Sequence, residues 1–420
     1  MRGRFDRFIA DSARRDRLVV QPRMGFGRPE AMRAGLAELG LLDFPVAATL
    51  TVDSYTRVGD HRTPLAQLAA GIELNGYPLV SHPVEVTRAM LDQLPGPAFP
   101  VQVRHGTALP LPIFRRLVEV GLDATEGGPV SYCLPYSRLP LAHTVAAWSE
   151  GCRFLAGETE SCHIESFGGC LLGQLCPPSL LVAMTVLEGC FFRQHGIRHL
   201  SLSYAQGTLP EQDRGALLAL RQLAQDYLAD TTWHLVAYTY MGLFPRTPDG
   251  ATRLIRDSAR LARDAGCERL IVKTVSEAWQ IPSVSENVAA LRLASAESAG
   301  PRARAAAADF GYREEILAEA RLLIDAVLGL HRDVGTALVE AFARGLLDVP
   351  FCLHQDNAGA TTCLIDDRGA LVWGSRGRLP LPAESARAGP GDLTSDRLFG
   401  MLNHVARHYD RLPDHALDPR

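Results

Sequence analysis

Residues 258–273 read SARLARDAGCERLIVK. Apolar residues recur at helical spacing as far as Ala265, Gly266 supplies a turn, and the run that follows is β-rich. The stretch therefore reads as helix, turn and strand. The same alternation extends outward from about residue 17 to residue 300. Nine β-rich runs mark it: RLVVQPR (17–23), AATLTVDSY (47–55), YPLVSH (77–82), PVQVRHG (100–106), GPVSYC (128–133), CHIESF (162–167), HLSLSY (199–204), WHLVAYTY (233–240) and RLIVKT (269–274). Helical patterns fill the gaps. PEAMRAGLAELGLL (29–42) carries Pro29 at its first turn, and PSLLVAMTVLEGCFFRQHG (178–196) is so apolar that deep burial is expected. Strands separated by helices imply right-handed βαβ units and a parallel sheet. Eight such units close a (β/α)8 TIM barrel, so one of the nine runs is surplus. A doubly wound open sheet is the rival, but no GxGxxG follows the first strand.

Composition agrees with a large globular α/β protein. Of 420 residues, 47% are hydrophobic and 21% charged, which is enough for a sizeable core. Lys and Arg number 43 against 47 Asp and Glu, so a basic nucleic-acid surface is not expected. The nine cysteines form no CxxC pair, and reduced thiols without a disulfide framework or structural zinc are expected. The basic start MRGRFDRFIADSARRDR lacks a long apolar region and does not read as a secretory signal; no run is long enough to span a bilayer. A soluble, cytoplasmic protein is expected. The shift at 296–310, SAESAGPRARAAAAD, suggests a boundary: residues 1–300 as the barrel, and 301–420 as an extension. That extension holds a long helical segment, a hairpin turning at Asp367–Arg368–Gly369, and an irregular tail from about 380.

Parallel barrels build their sites at the carboxyl ends of the strands. Three arginines stand there: Arg23, Arg57 and Arg104. Guanidinium groups grip carboxylates bidentately, and three of them suit a substrate with more than one carboxylate. The alternative is that each pairs with an internal acid such as Asp53 or Asp123. Glu126 is placed to accept an ammonium group, or else is a loop residue. Tyr132 and Tyr136 offer hydroxyls or simply pack, and His105 is a donor or a satisfied neighbour. Lys273 and Glu277, four apart, form an ion pair or line the mouth. No phosphate loop, HExxH or GxSxG occurs.

These strand-end motifs resemble the large, or epsilon, subunit family of glutamate mutase, also called methylaspartate mutase. The stretches carrying the likeness are QPRMG (21–25), TLTVDSYTR (49–57), LNGYPLV (74–80), VRHGT (103–107), EGGPVSYCLPYS (126–137), ESFGGCLLGQLCPPS (165–179), MGLFP (241–245), IVKTVSEAWQIP (271–282) and DNAGA (356–360). The resemblance implies a (β/α)8 barrel that binds adenosylcobalamin against a small cobalamin-binding partner. It also implies a radical interconversion of L-glutamate and (2S,3S)-3-methylaspartate. By motif, it assigns Arg23, Arg57 and Arg104 to the substrate carboxylates, with His105 beside them, Glu126 to the ammonium, and Tyr132 and Tyr136 to the pocket. It assigns Gly25, Asn75, Pro135, Phe244, Lys273, Glu277 and Ile281 to the cofactor, with no protein acid–base pair and no metal ligand. No D-x-H-x-x-G motif occurs, so the cobalt-ligating histidine is expected from the partner, in a heterotetramer containing two copies of this chain.

The chain departs from the family pattern close to the site. Pro129 stands in EGGP for EGGG, Cys133 for Asn, Ser166 for Pro, YMGL for WMGG and Ser276 for His, and the segment before QPRMG is short. The alternatives to weigh are a related mutase of secondary metabolism acting on another amino or keto acid, a non-catalytic dicarboxylate-binding barrel, and a lyase or aldolase using Lys273 as a Schiff base.

Overall fold

A computed structural model describes residues 3–411 apart from 93, 95, 97, 172–174, 301–306 and 388–392. Eight parallel strands form one sheet: β1 (Val19–Pro22), β2 (Ala48–Thr51), β3 (Val101–Arg104), β4 (Ala124–Gly127), β5 (His163–Ser166), β6 (His199–Ala205), β7 (Thr232–Tyr238) and β8 (Arg269–Val272). From β2 to β8 each pairs with its sequence neighbour, and β8 pairs with β1. The β1–β2 seam is joined by the Val20–Val46 bridge, with Ala47 N donating to Val20 O at 3.2 Å. Helices separate the strands, so the expected (β/α)8 barrel is what the chain forms.

Two of the nine β-rich runs are not strands. YPLVSH meets the end of β2 at a single isolated bridge, Val52–Tyr77, where Tyr77 N donates to Thr51 O at 2.8 Å; Pro78 has no N–H, and its carbonyl accepts from Ser81 and His82 in a turn. GPVSYC is a helical turn instead of the fourth strand, which is Ala124–Gly127. Gly127 leaves the strand at φ +133°, a conformation a side chain would block by meeting Trp148.

The helix Pro178–Gln194 is buried over nearly its whole length, as its composition requires. In the extension, the long helical segment is two helices, Ala307–Leu328 and Val334–Arg344, broken where Asp333 caps the second by accepting from Thr336 N at 2.7 Å. The first packs on Pro178–Gln194 and Pro210–Tyr227 of the barrel. The hairpin β9 (Thr361–Ile365) and β10 (Leu371–Arg376) turns at 366–369, with Gly369 at φ +92°. The tail is less irregular than expected: Thr394 caps a helix Ser395–Leu402, followed by His404–Arg411. All nine cysteines are buried and unpaired by disulfides, and no helix is long and apolar enough to cross a membrane.

The bottom of the barrel is closed by α1 (Arg4–Arg14). Phe5 and Ile9 pack on Val19, Ala47 and Ala124, and Asp6 sits 3.0 Å from Nδ1 of buried His163. Truncating a fully buried aromatic plug removes apolar contact and leaves a cavity. Phe5→Ala is expected to lower the unfolding free energy by about 3–5 kcal/mol, read as a reduced urea midpoint at unchanged slope. A loss below about 1 kcal/mol would contradict the plug.

Candidate functional site

Arg104 ends β3 and points into the barrel mouth, 4% exposed. Its Nε lies 2.9 Å from Glu126 Oε2, and its guanidinium lies 5.1 Å from the Tyr238 ring centre. Glu126 also accepts from the Tyr132 hydroxyl and lies 3.2 Å from that of Tyr238. Burial pushes the Glu126 carboxyl up; Arg104 opposes this and Glu165 adds to it, and the net direction is upward. Tyr132 is buried, with Tyr136 edge-on to it at 5.7 Å between ring centres and 51% exposed at the opening.

Arg57 arrives from the next strand end. Asp53 caps the turn Ser54–Arg57 by accepting from Tyr55 N at 2.9 Å and Thr56 N at 3.1 Å, so this acid serves the backbone and not Arg57. Among the described residues no carboxylate pairs with Arg57, and its Nε is buried without a partner. Gly106 carries the chain past it at φ +67°; a Cβ there would stand 3.6 Å from Arg57 Cδ. Asp123, the other candidate partner, is engaged by Arg4 at 3.5 Å. His105, between Arg104 and Gly106, is buried among Tyr132, Phe114 and Trp148. Burial, with Arg57 nearby, drives its pKa down to about 3, so it is a neutral imidazole.

Arg23 follows β1, which lies between β2 and β8 in the barrel. Its Nη1 lies 3.5 Å from Glu277 Oε1, which is also 3.2 Å from Lys273 Nζ. Arg23, Arg57 and Glu126 all lie within electrostatic reach of the Tyr136 phenol. The three arginines end the successive strands β1, β2 and β3, with Arg23 turned toward Glu277 beyond β8.

Of the remaining positions, Lys273 Nζ sits 5.1 Å from the Phe244 ring centre. Burial lowers its pKa to about 8 against the raising effect of Glu277. Ile281 and the neighbouring Trp279 are 64% and 67% exposed on the rim. Pro135 lies beside Tyr136 in the loop after β4. Gly25 is packed on β2, where a Cβ would meet Thr51 O at 2.4 Å, and the Asn75 side-chain carbonyl accepts from Ser54 N at 3.0 Å. Both therefore serve packing whatever else they touch.

Three residues in and beneath the cup escaped assignment from sequence. Tyr238, Glu165 and Arg269 lie inside the barrel, where the Tyr238 hydroxyl donates to Glu165 and Glu165 pairs with Arg269. Period-two alternation in WHLVAYTY was the available signal for Tyr238, and it marks an inward residue without naming a partner.

The chain matches the family Methylaspartate mutase E chain (MutE) over residues 1–394. A glutamate mutase epsilon subunit of Haloarcula marismortui is 35% identical over 393 residues, covering 87% of this chain and 78% of that one. Epsilon subunits of Escherichia coli O157:H7 and Halobacterium salinarum are 31% and 32% identical, covering 80% and 91% of this chain and 72% and 82% of theirs. With the match running through barrel, cup and hairpin alike, the chain belongs to the methylaspartate mutase E chain family.

Proposed function

We propose that this chain is the catalytic subunit of an adenosylcobalamin-dependent glutamate mutase, interconverting L-glutamate and (2S,3S)-3-methylaspartate. The observation that carries the reading is the pair of buried donors with no partner, Arg57 Nε and Arg104 Nη1, in one cup with Arg23 and Glu126. Buried unpaired guanidinium nitrogens are costly, and a dicarboxylate satisfies them. Arg57, free of any acid, takes one carboxylate, and Arg104 and Arg23 reach for the other. Glu126 turns from Arg104 to the substrate ammonium, with the hydroxyl of Tyr132 donating to one oxygen and that of Tyr238 3.2 Å from the other. Neutral His105 adds a donor without adding charge.

The rim fits a nucleoside-bearing cofactor. Lys273 and Glu277 offer a donor and an acceptor for ribose hydroxyls, Phe244 gives an apolar floor, and exposed Ile281 and Trp279 present surface to a ligand or partner. By their motifs, Gly25, Asn75 and Pro135 belong to the same cofactor-binding reading. When bound, adenosylcobalamin supplies the radical chemistry of the rearrangement. The chain's own residues hold the substrate by its charged ends, leave its carbon skeleton free, and keep water out of a cup walled by Tyr132, Phe167 and Tyr238. A small cobalamin-binding subunit with a D-x-H-x-x-G motif and a heterotetrameric assembly in the cytoplasm belong to the same proposal.

The test combines this chain with adenosylcobalamin and a relative's small cobalamin-binding subunit. L-glutamate is expected to yield 3-methylaspartate, and Arg57→Lys to lower kcat/KM by about 10–100-fold, since the point charge stays while the fork is lost. Unchanged turnover in the variant would contradict the clasp. A second check follows Lys273 by heteronuclear NMR. Its ammonium should titrate near pH 8, and Glu277→Gln should move that midpoint lower, because Glu277 stabilises the charged amine. A midpoint near the ordinary lysine value would contradict its burial. Borohydride in the presence of substrate should leave no adduct on Lys273; an adduct would favour Schiff-base chemistry.

A further inference from the structure

The helix Pro178–Gln194 is apolar and buried, yet it carries a fully buried acid, Glu188. Among the described residues no cation pairs with it. Its carboxylate is instead filled by four donors. Oε1 accepts from Val130 N at 3.2 Å and Ser131 N at 2.8 Å; Oε2 accepts from Ser131 Oγ at 2.9 Å and Ser166 Oγ at 3.1 Å. Two neighbouring strand ends supply these donors: the turn after β4 and the last residue of β5. The carboxylate lies so close beneath that turn that a Cβ on Gly128 would stand 2.0 Å from Oε1. Glu188 therefore dictates the second glycine of the EGGP stretch.

The side chain by which the turn meets Glu126 is Tyr132. Tyr132 follows Ser131, its N donates to Gly128 O at 3.1 Å, and its hydroxyl donates to Glu126. We propose that Glu188 is a positioning residue that sets the ammonium-binding carboxylate Glu126 by clamping the turn that carries Tyr132. This rests on the functional reading above and adds a residue to it. The Ser166 contact is particular to a chain with serine at that position, because proline offers no hydroxyl. Burial pushes the Glu188 carboxyl up to about 7, countered by the Ser131 and Val130 hydrogen bonds. It is thus held by dipoles and not by a counter-charge.

The test uses the assembled enzyme and L-glutamate. Glu188→Ala leaves four buried donors unpaired, and KM for glutamate should rise about tenfold or more. Glu188→Gln should recover most of that loss, since its carbonyl accepts from the backbone and both serine hydroxyls can turn to accept from its amide. In a Tyr132→Phe background the effect of Glu188→Ala should shrink to about twofold or less, because the route through the phenol is gone. An equally large effect in that background, or a wild-type KM in Glu188→Ala, would overturn the proposal. Should Glu188→Ala not fold, Ser131→Ala serves: it should raise KM about threefold, and only with Tyr132 intact. An unchanged KM in Ser131→Ala would overturn it too. If wild type turns over no glutamate, the functional reading fails; if wild type is active and these variants are silent, only the present inference fails.

Discussion

An ion pair with no solvent contact, Arg269 with Glu165, occupies the axis of the barrel, and the site is built on top of it. Two charges removed from water are tolerated only when every remaining lone pair and proton is used. Here they are. Arg269 donates to Gln21 at 2.6 Å, Gln102 at 3.0 Å and Ser201 at 2.9 Å, and its Nε faces His234 at 3.3 Å. Glu165 accepts from Gln102 at 3.1 Å, Ser201 at 3.2 Å and the Tyr238 hydroxyl. Residues of β1, β3, β5, β6, β7 and β8 thus share one hydrogen-bonded layer, and losing both members of the pair would take a partner from each of Gln21, Gln102, Ser201, His234 and Tyr238.

The layer also sets the electrostatics above it. Burial acts to raise both Glu165 and Glu126. For Glu165, Arg269 and Arg104 outweigh burial and hold its carboxyl below the ordinary range; for Glu126, Arg104 and the Tyr132 hydrogen bond oppose burial, but the charge of Glu165 adds to it. Two carboxylates joined through one phenol are therefore driven apart. The upper one, strained as an anion, gains most from a cation placed against it, which is what a substrate ammonium provides. The Glu188 clamp and the axial pair act on Glu126 from two sides, one through Tyr132 and the other through Tyr238.

Much of this was legible in the residues, and the gaps have physical causes. The barrel followed from helix–turn–strand alternation, because burial on both faces forces continuous apolar strands. The arginines were found because strand ends can be located without knowing the partners. YPLVSH and GPVSYC misled because apolar and aromatic residues inside tight turns have the composition of strands. Only Pro78, Gly127 and Pro129 signal otherwise, and the decisive partner of the second turn, Glu188, lies 57 positions from Ser131. Arg269, Tyr238 and Glu165 were invisible for the same reason: a barrel interior is assembled from one residue per strand, and no spacing in the chain records who faces whom. The sorting of Asp53 into a cap and Asp123 into a partner of Arg4, which leaves Arg57 for a ligand, was likewise a matter of three-dimensional placement.

The account stands or falls on whether the unfilled guanidinium groups receive the two ends of one dicarboxylate. A crystal structure of the chain with (2S,3S)-3-methylaspartate tests this most directly. One carboxylate should lie on Arg57 and the other on Arg104 or Arg23, with the ammonium against Glu126. A ligand bound outside the cup, or one that leaves Arg57 uncontacted, would contradict it.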